Sequence, residues 1–258
     1  MRPWGSRGQL ACPAVARYYF LMCGRYVSPT QTELERYWRL TRAQIRDPLV
    51  PVLTVSPTAV VPMLRRAEAG HVELVAARWG LIPLWWKESK RPRNTFNARS
   101  EEAATKPMWR YPVTKSRCLV PAAGWYEWKA VESRDPSTGE KKQTKQPYLV
   151  RKVDREPIAF AGLMSRRNVA GEKPEFSCTI LTRDALGPAA GIYNRMPIAL
   201  PKDAEAAWLD PELTDPSLMI DFARDSALTE FMLHPVDADV KEAGNQAPVS
   251  LGQFPNPD

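Results

Sequence analysis

The sequence predicts an α+β fold: a single domain with a mainly antiparallel, barrel-like β core and flanking helices. Three observations lead there. Short runs rich in β-branched and aromatic residues recur along the chain. The gaps between them are polar and hairpin-sized, without the regular strand–helix alternation that builds parallel sheets. Segments with helical spacing and capping residues are interspersed among the strands, and no linker divides the 258 residues.

Each element follows from its own residues. The first 21, MRPWGSRGQLACPAVARYYFL, are interrupted by Pro13 and Arg17 and hold no clean apolar secretory core. They are expected to be a disordered extension or a start assigned too far upstream, with the folded domain over 22–258. TQTELERYWRL (30–40) sets Leu34, Tyr37 and Trp38 at helical spacing behind Thr30, a capping residue. TAVVPMLRR (58–66) and HVELVAARWGLIP (71–83) predict a strand pair and a following loop. Residues 83–99, rich in Pro, Trp and Arg, predict an irregular surface loop. EEAATKPMWR (101–110) opens with acidic residues and predicts a short helix. SRCLVPAAGWYEWKAV (116–131) predicts two strand pieces broken around Pro121 and Gly124. SRDPSTGEKKQTKQ (133–146) reads as a polar connection whose lysines form a solvated hairpin tip. Runs from 147, 157 and 176 predict three more strands. PKDAEAAWL (201–209), with Pro201 at the first helical position, and DPSLMIDFAR (215–224) predict helices. EFMLHPV (230–236) predicts a last strand, and the tail QFPNPD is expected to fray.

Composition narrows the function classes. Apolar content of 44% with 25% charged residues is that of a globular protein, and no apolar run approaches the roughly 18 residues of a membrane helix. A net charge of +7 draws polyanions such as nucleic acid, although many basic proteins bind none. Cys12, Cys23, Cys118 and Cys178 are scattered without a C-x-x-C pair, and the two histidines, His71 and His234, lie far apart. That pattern predicts no metal site, no cofactor and reduced thiols in the cytoplasm.

Several short stretches offer chemistry. In MCGRY (22–26) a cysteine follows an internal methionine; loss of everything through Met22 leaves Cys23 with a free α-amine and a thiol on adjacent carbons. Six of the nine tryptophans fall between 79 and 128. Near arginines such rings can stack on the bases of single-stranded nucleic acid, at about 1–3 kcal/mol per base, or simply fill the core. An extended backbone at Trp85–Trp86 would send the two rings to opposite sides. FNARSE (96–101) offers an amide and a guanidinium two residues apart. GWYEW (124–128) sets Glu127 among aromatic residues; an apolar setting would raise its pKa and suit proton transfer, while an exposed strand glutamate is the commoner case. IYNRMP (192–197) carries Arg195 beside a proline.

Taken in order, MCGRY, WGLIPLWW, FNARSE, GWYEW, IYNRMP and HPV (234–236) resemble the signatures of the SRAP (SOS response-associated peptidase) family, from Met22 to about Leu251. The resemblance implies a monomer that shields abasic sites in single-stranded DNA by a covalent bond from Cys23. Asn97 then orients the reacting group or opened sugar, and Glu127 shuttles protons at the terminal amine. Arg25, Arg99 and Arg195 match positions that hold flanking phosphates, Trp85 and Trp86 the aromatic pair against bases, and Pro57 and Thr182 weaker contacts. It further implies peptidase action on the residues ahead of the cysteine, lyase-like chemistry, replication-fork proteins as candidate partners, and nucleoid association on damage. This chain departs from the pattern at Tyr193, where the family has histidine in IHxRMP, and at TVSPT (54–58), where it tends to Asn-x-Ala-Pro. Rival readings are a peptidase using Cys23 and Glu127 on protein, a non-covalent single-strand binder, and a basic globular protein whose tryptophans only pack.

Overall fold

A computed structural model describes residues 24–47, 54–134, 139–168, 173–237 and 240. The expectations for residues 1–21, Cys23 and the tail lie outside these. In chain order the elements are β1 (Tyr26–Val27), α1 (Gln31–Trp38), β2 (Val60–Arg66), β3 (Val72–Trp79), β4 (Asn97–Arg99), α2 (Ser100–Ala103), α3 (Pro107–Lys115), β5 (Arg117–Ala122) and β6 (Gly124–Arg134). There follow β7 (Lys141–Arg151), β8 (Ile158–Arg167), β9 (Glu175–Asp184), β10 (Arg195–Pro197), β11 (Ala199–Leu200), α4 (Glu205–Trp208), α5 (Pro216–Asp225) and β12 (Met232–Pro235).

Strands β9, β3, β2, β5 and β8 pair in that order, and β8 pairs back onto β9, closing a five-stranded barrel. All its pairings are antiparallel except β3–β9. Closure leaves the ring itself no open edge. β4 and β10 add to β9, and β11 adds to β8. A second, antiparallel sheet runs β1-β6-β7-β12. The predicted α+β fold with a mainly antiparallel, barrel-like core is the observed one.

The period-2 alternation of the strands sorts two cores. Val61, Met63, Val75, Ala77, Trp79, Cys118, Val120, Phe160, Cys178 and Ile180 fill one cluster, and Trp125 of β6 joins it with ring centroids 5.9 Å from Phe160 and 4.9 Å from Phe231. The intervening residues Leu64, Leu74, Leu119, Ala161, Leu163 and Leu181 form the other, against Leu34 of α1, Trp109 and Val113 of α3, and Ile220 of α5. Both faces of β5 are therefore covered, and all six of its residues are buried. Each large aliphatic or aromatic side chain so buried contributes about 1.5–3 kcal/mol. At Gly162 a Cβ would lie 2.9 Å from the Cys118 sulfur and 3.1 Å from the Thr179 carbonyl, so the interior admits only glycine there.

Local chemistry sets the helix ends. The Thr30 side chain accepts from Glu33 N, and the Glu33 carboxylate accepts from Thr30 N, a reciprocal cap. Asp215 caps Ser217 N and Leu218 N ahead of Pro216. Buried Arg117 donates to the carbonyls of Val113, Trp208 and Asp210, holding the C-terminal ends of α3 and α4 together.

Four expectations change. Residues 97–99 are not loop but β4, whose pairing comes from β9, some 80 residues away in sequence and invisible in local composition. The helix expected over 101–110 is two, α2 and α3, because Pro107 starts a new helix where its missing N–H costs nothing. The polar connection 133–146 is mostly strand, since β6 and β7 continue to Arg134 and from Lys141 by pairing with each other. Pro201 does not begin a helix: its carbonyl accepts from Ala204 N at 3.1 Å in a turn, and α4 starts at Glu205.

Candidate functional site

Strand β1 brings the start of the described chain to β6. Tyr26 pairs with Trp125 and Val27 with Gly124, Tyr126 N donates to Arg25 O at 2.9 Å, and Tyr26 exchanges two hydrogen bonds with Val55 on its other side. On its other side Gly124 permits the close approach of β7, because a Cβ there would stand 2.7 Å from Val150 O. Gly24 is buried and Arg25 half-buried; burial lowers the Arg25 pKa. Cys23 lies outside the described residues. Glu127, one residue past Tyr126 and opposite Tyr148 of β7, is only 5% exposed, so it is not the exposed strand glutamate of the commoner case.

The second group sits on β9. Asn97 is in register with Ile180, Arg99 with Thr182, and Arg195 with Asp184. The Phe96 carbonyl, accepting from Trp79 Nε1 at 2.8 Å and Ile180 N at 2.9 Å, fixes β4 just ahead of Asn97. Trp79 in turn meets the Tyr26 ring edge-on at 5.2 Å, which ties β1 to β4. Asn97 is half-buried and Arg99 exposed.

Arg195 is buried, and its guanidinium donates to Glu101 at 2.9 and 3.0 Å, to Asp184 at 2.7 Å, and to the carbonyl and hydroxyl oxygens of Thr182 at 2.8 and 3.2 Å. Burial, the largest single effect, would raise the Glu101 pKa; the bond from Arg195, a backbone hydrogen bond and the charges of Arg195 and Arg224 together outweigh it and hold the carboxyl below its usual value. Thr182 is fully buried, with its hydroxyl donating to Ala98 O. Tyr193, half-buried, precedes Arg195 by two residues, its N–H donating to Ala189 O. Glu101 is the residue the motif reading passed over: FNARSE contains it, but its partner lies 94 residues away.

The tryptophans divide. Trp79, Trp109 and Trp125 are buried and pack. Trp85 and Trp86 sit on a turn, with Trp86 N donating to Pro83 O at 3.0 Å, so the extended-backbone expectation of opposite sides does not apply. Their rings stand 5.8 Å apart at 52°; Trp85 is 56% exposed and Trp86 half-buried, its Nε1 donating to Lys90 O. Ile82 N donates to Ser177 Oγ and Arg91 pairs with Glu175 at 2.8 Å, fastening this loop to β9. Burial, then neighbouring Arg91, lowers the Arg78 pKa, and Arg78 donates to Thr58 O in the turn that holds half-buried Pro57. Arg91, in the same loop as the tryptophans, thus lies near enough to Arg78 to act on its charge.

The described cysteines are not candidate nucleophiles. Cys118 and Cys178 lie inside the barrel, where burial pushes the Cys178 thiol up to about 12 and that of Cys118 well above its ordinary value. His234 is buried in the row Tyr126–Leu149–His234, on the other face of β7 from Tyr148 and so from Glu127. Among the described residues no group of His, Cys, Asp and Glu could hold a metal ion, and no helix is long and apolar enough to cross a membrane.

Comparison with known proteins places this arrangement. The SOS response associated peptidase (SRAP) family model matches residues 22–243. Abasic site processing protein YoqW of Bacillus subtilis is 35% identical over 223 residues, covering 86% of this chain and 91% of YoqW. Abasic site processing protein YedK of Escherichia coli is 30% identical over 238 residues, covering 87% and 96%. A phage-related protein of Bordetella bronchiseptica superposes with a TM-score of 0.61 at 29% identity, over 83% of this chain and 94% of that one. With the match spanning nearly all of the barrel and its second sheet, the chain belongs to the SRAP family.

Proposed function

We propose that this protein captures abasic sites in single-stranded DNA through Cys23, with Cys23 as the amino-terminal residue of the active form. The carrying observation is the burial of Glu127 on the strand to which β1 leads the start of the chain, while the thiols of Cys118 and Cys178 are sealed in the barrel. A ring-opened abasic sugar presents an aldehyde. The α-amine of Cys23, with an ordinary pKa of about 7.7–8.0, adds to it and water leaves, giving an imine. The thiol then adds across the C=N bond: sulfur bonds carbon, its proton passes to nitrogen, and a five-membered thiazolidine closes. Having amine and thiol on adjacent carbons makes the second step intramolecular.

In this reading Glu127 moves protons at the terminal amine, Asn97 orients the opened sugar, and Tyr193 hydrogen-bonds the sugar oxygen. Arg25 and exposed Arg99 hold flanking phosphates, and Trp85 and Trp86 stack on bases, contacts that carry little sequence preference. Pro57 shapes the neighbouring turn. Arg195 and Thr182 act together: the guanidinium, engaged by Glu101 and Asp184, fixes the β9 end beside Arg99. The capture requires a free Cys23 nitrogen, so residues ahead of it are removed or never made, by this protein's own peptidase action or by another route.

The test is a denaturing gel of the protein beginning at Cys23 with an abasic single strand, beside Cys23→Ser. A shifted band lost in the variant supports the reading. Equal affinity for intact and abasic strands with no detergent-stable band overturns it in favour of non-covalent binding.

A further inference from the structure

Strands β6 and β7 run well past the body of the protein. β1 pairs with β6 only at Gly124 and Trp125, and β12 pairs with β7 only from Tyr148 to Arg151. Beyond these, Lys129–Arg134 and Lys141–Gln146 pair with each other alone. Polar residues sustain this two-stranded ribbon, and the functional reading above leaves it unused.

The register sorts its two faces. Residues directly opposite in an antiparallel pair share a face, and the face alternates along each strand. Glu127 with Tyr148, Lys129 with Gln146, Val131 with Thr144 and Ser133 with Lys142 make one face. Ala130 with Lys145, Glu132 with Gln143 and Arg134 with Lys141 make the other. On the first, the paired positions from Lys129 to Ser133 hold no carboxylate and two exposed lysines, Lys129 and Lys142. The ribbon's Glu132 is on the reverse face, paired with Lys141 at 3.3 Å. On the first face the hydroxyls are turned inward, Ser133 donating to Lys142 O and Thr144 to Val131 O, so the ammonium groups are what project. Gln146 braces the base by donating to Val236 O at 2.9 Å.

We propose that this lysine-bearing face is a phosphate track for the single strand as it leaves the lesion, with Lys129 and Lys142 each holding a backbone phosphate. The proposal rests on the DNA reading above and adds a site to it. Three features favour a nucleic-acid strand as occupant. The face is continuous with that of Glu127, its paired positions from Lys129 to Ser133 carry two lysines and no acid, and it has little apolar surface for a protein partner. From Glu127 to Ser133 it spans about 20 Å, the axial length of roughly six stacked nucleotides of one strand.

The test measures binding against salt concentration for strands holding an unreactive abasic analogue. One strand extends on both sides beyond the ribbon's length; the other is cut back to the nucleotides immediately flanking the lesion. On the extended strand, Lys129→Gln/Lys142→Gln should lower the slope of log affinity against log salt by about 1.4, two phosphates at about 0.7 each. On the cut-back strand it should change nothing, and the reverse-face pair Arg134→Gln/Lys141→Gln should leave the extended-strand slope at the parental value. An unchanged slope with the first pair, an equal loss on both strands, or an equal loss from both faces overturns the proposal. If the parent captures abasic strands but does not prefer the extended one, only the ribbon track fails. If it binds neither, lesion capture fails with it.

Discussion

Arg195 and Glu101 meet through two parallel hydrogen bonds, 2.9 and 3.0 Å long, although 94 residues separate them. The pair locks β10 to the start of α2, and Arg99, its β4 neighbour, stands two residues before Glu101. Replacing Glu101 by Gln keeps the shape and removes the charge. With Glu101 about a third exposed, solvent screening holds the expected loss of stability to about 1–2 kcal/mol. Capture of abasic strands should slow roughly tenfold through misplacement of Arg99. The Glu101 carboxyl sits below its usual pKa, so its stabilisation is complete above the ordinary glutamate value near about 4.3 and fades as pH falls through the lower folded value. Thermal melts from neutral to acidic pH should show the variant with a flatter acid limb than the parent.

On the proposed reading, Tyr193 hydrogen-bonds the sugar oxygen at the position where the resembled SRAP pattern has histidine. A phenol of ordinary pKa about 10 is a poor proton carrier near neutrality, whereas histidine titrates there. Tyr193→His should speed reversal of the adduct several-fold, and Tyr193→Phe should slow both directions. Timing formation and release on an abasic strand checks this; a histidine variant that alters neither rate removes the role.

Trp85 and Trp125 are both tryptophans of aromatic-rich motifs, yet one is 56% exposed and the other 1%. Trp85→Ala should weaken binding to single strands by about 1–3 kcal/mol with almost no change in melting. Trp125→Ala, which empties a site against Phe160 and Phe231, should cost about 3–5 kcal/mol of stability. Binding titrations beside melts separate the two.

His234 is held below its ordinary pKa of 6.5 by burial first, then by Arg151 and Arg155. Its unfolded form takes up a proton that the folded form resists, so its contribution is largest above the ordinary value. Stability therefore falls as pH drops through 6.5 toward the lower folded value. His234→Gln should flatten stability between about pH 5 and 7, read by denaturant midpoints across that range.

Much of this was legible in the residues. VELVAARW alternates and forms β3; Thr30 and Glu33 announce α1; Asp215 and Pro216 announce α5. What stayed hidden depends on distant partners. β4 is a strand only because β9 lies beside it, and the barrel closes only through the β8–β9 and parallel β3–β9 pairings. The resemblance marks Arg195 as a phosphate contact and Thr182 as a weaker contact, while the pairing of Arg195 with remote Glu101 and the full burial of Thr182 are invisible in the sequence. The ribbon of β6 and β7 is polar, so hydrophobic patterning shortens it, and cross-strand pairing is what extends it. Trp85 and Trp86 share a surface because a turn, not a strand, carries them.

The central claim is the chemistry of one residue, and mass spectrometry of the digested adduct reads it directly. The account predicts that the modified peptide begins at Cys23 and weighs the peptide plus the opened sugar remnant less one water. It also predicts that the thiol no longer alkylates and that the adduct needs no borohydride to survive. A modification found on a lysine or an internal cysteine, or an adducted chain whose Cys23 nitrogen is still acylated, would contradict it.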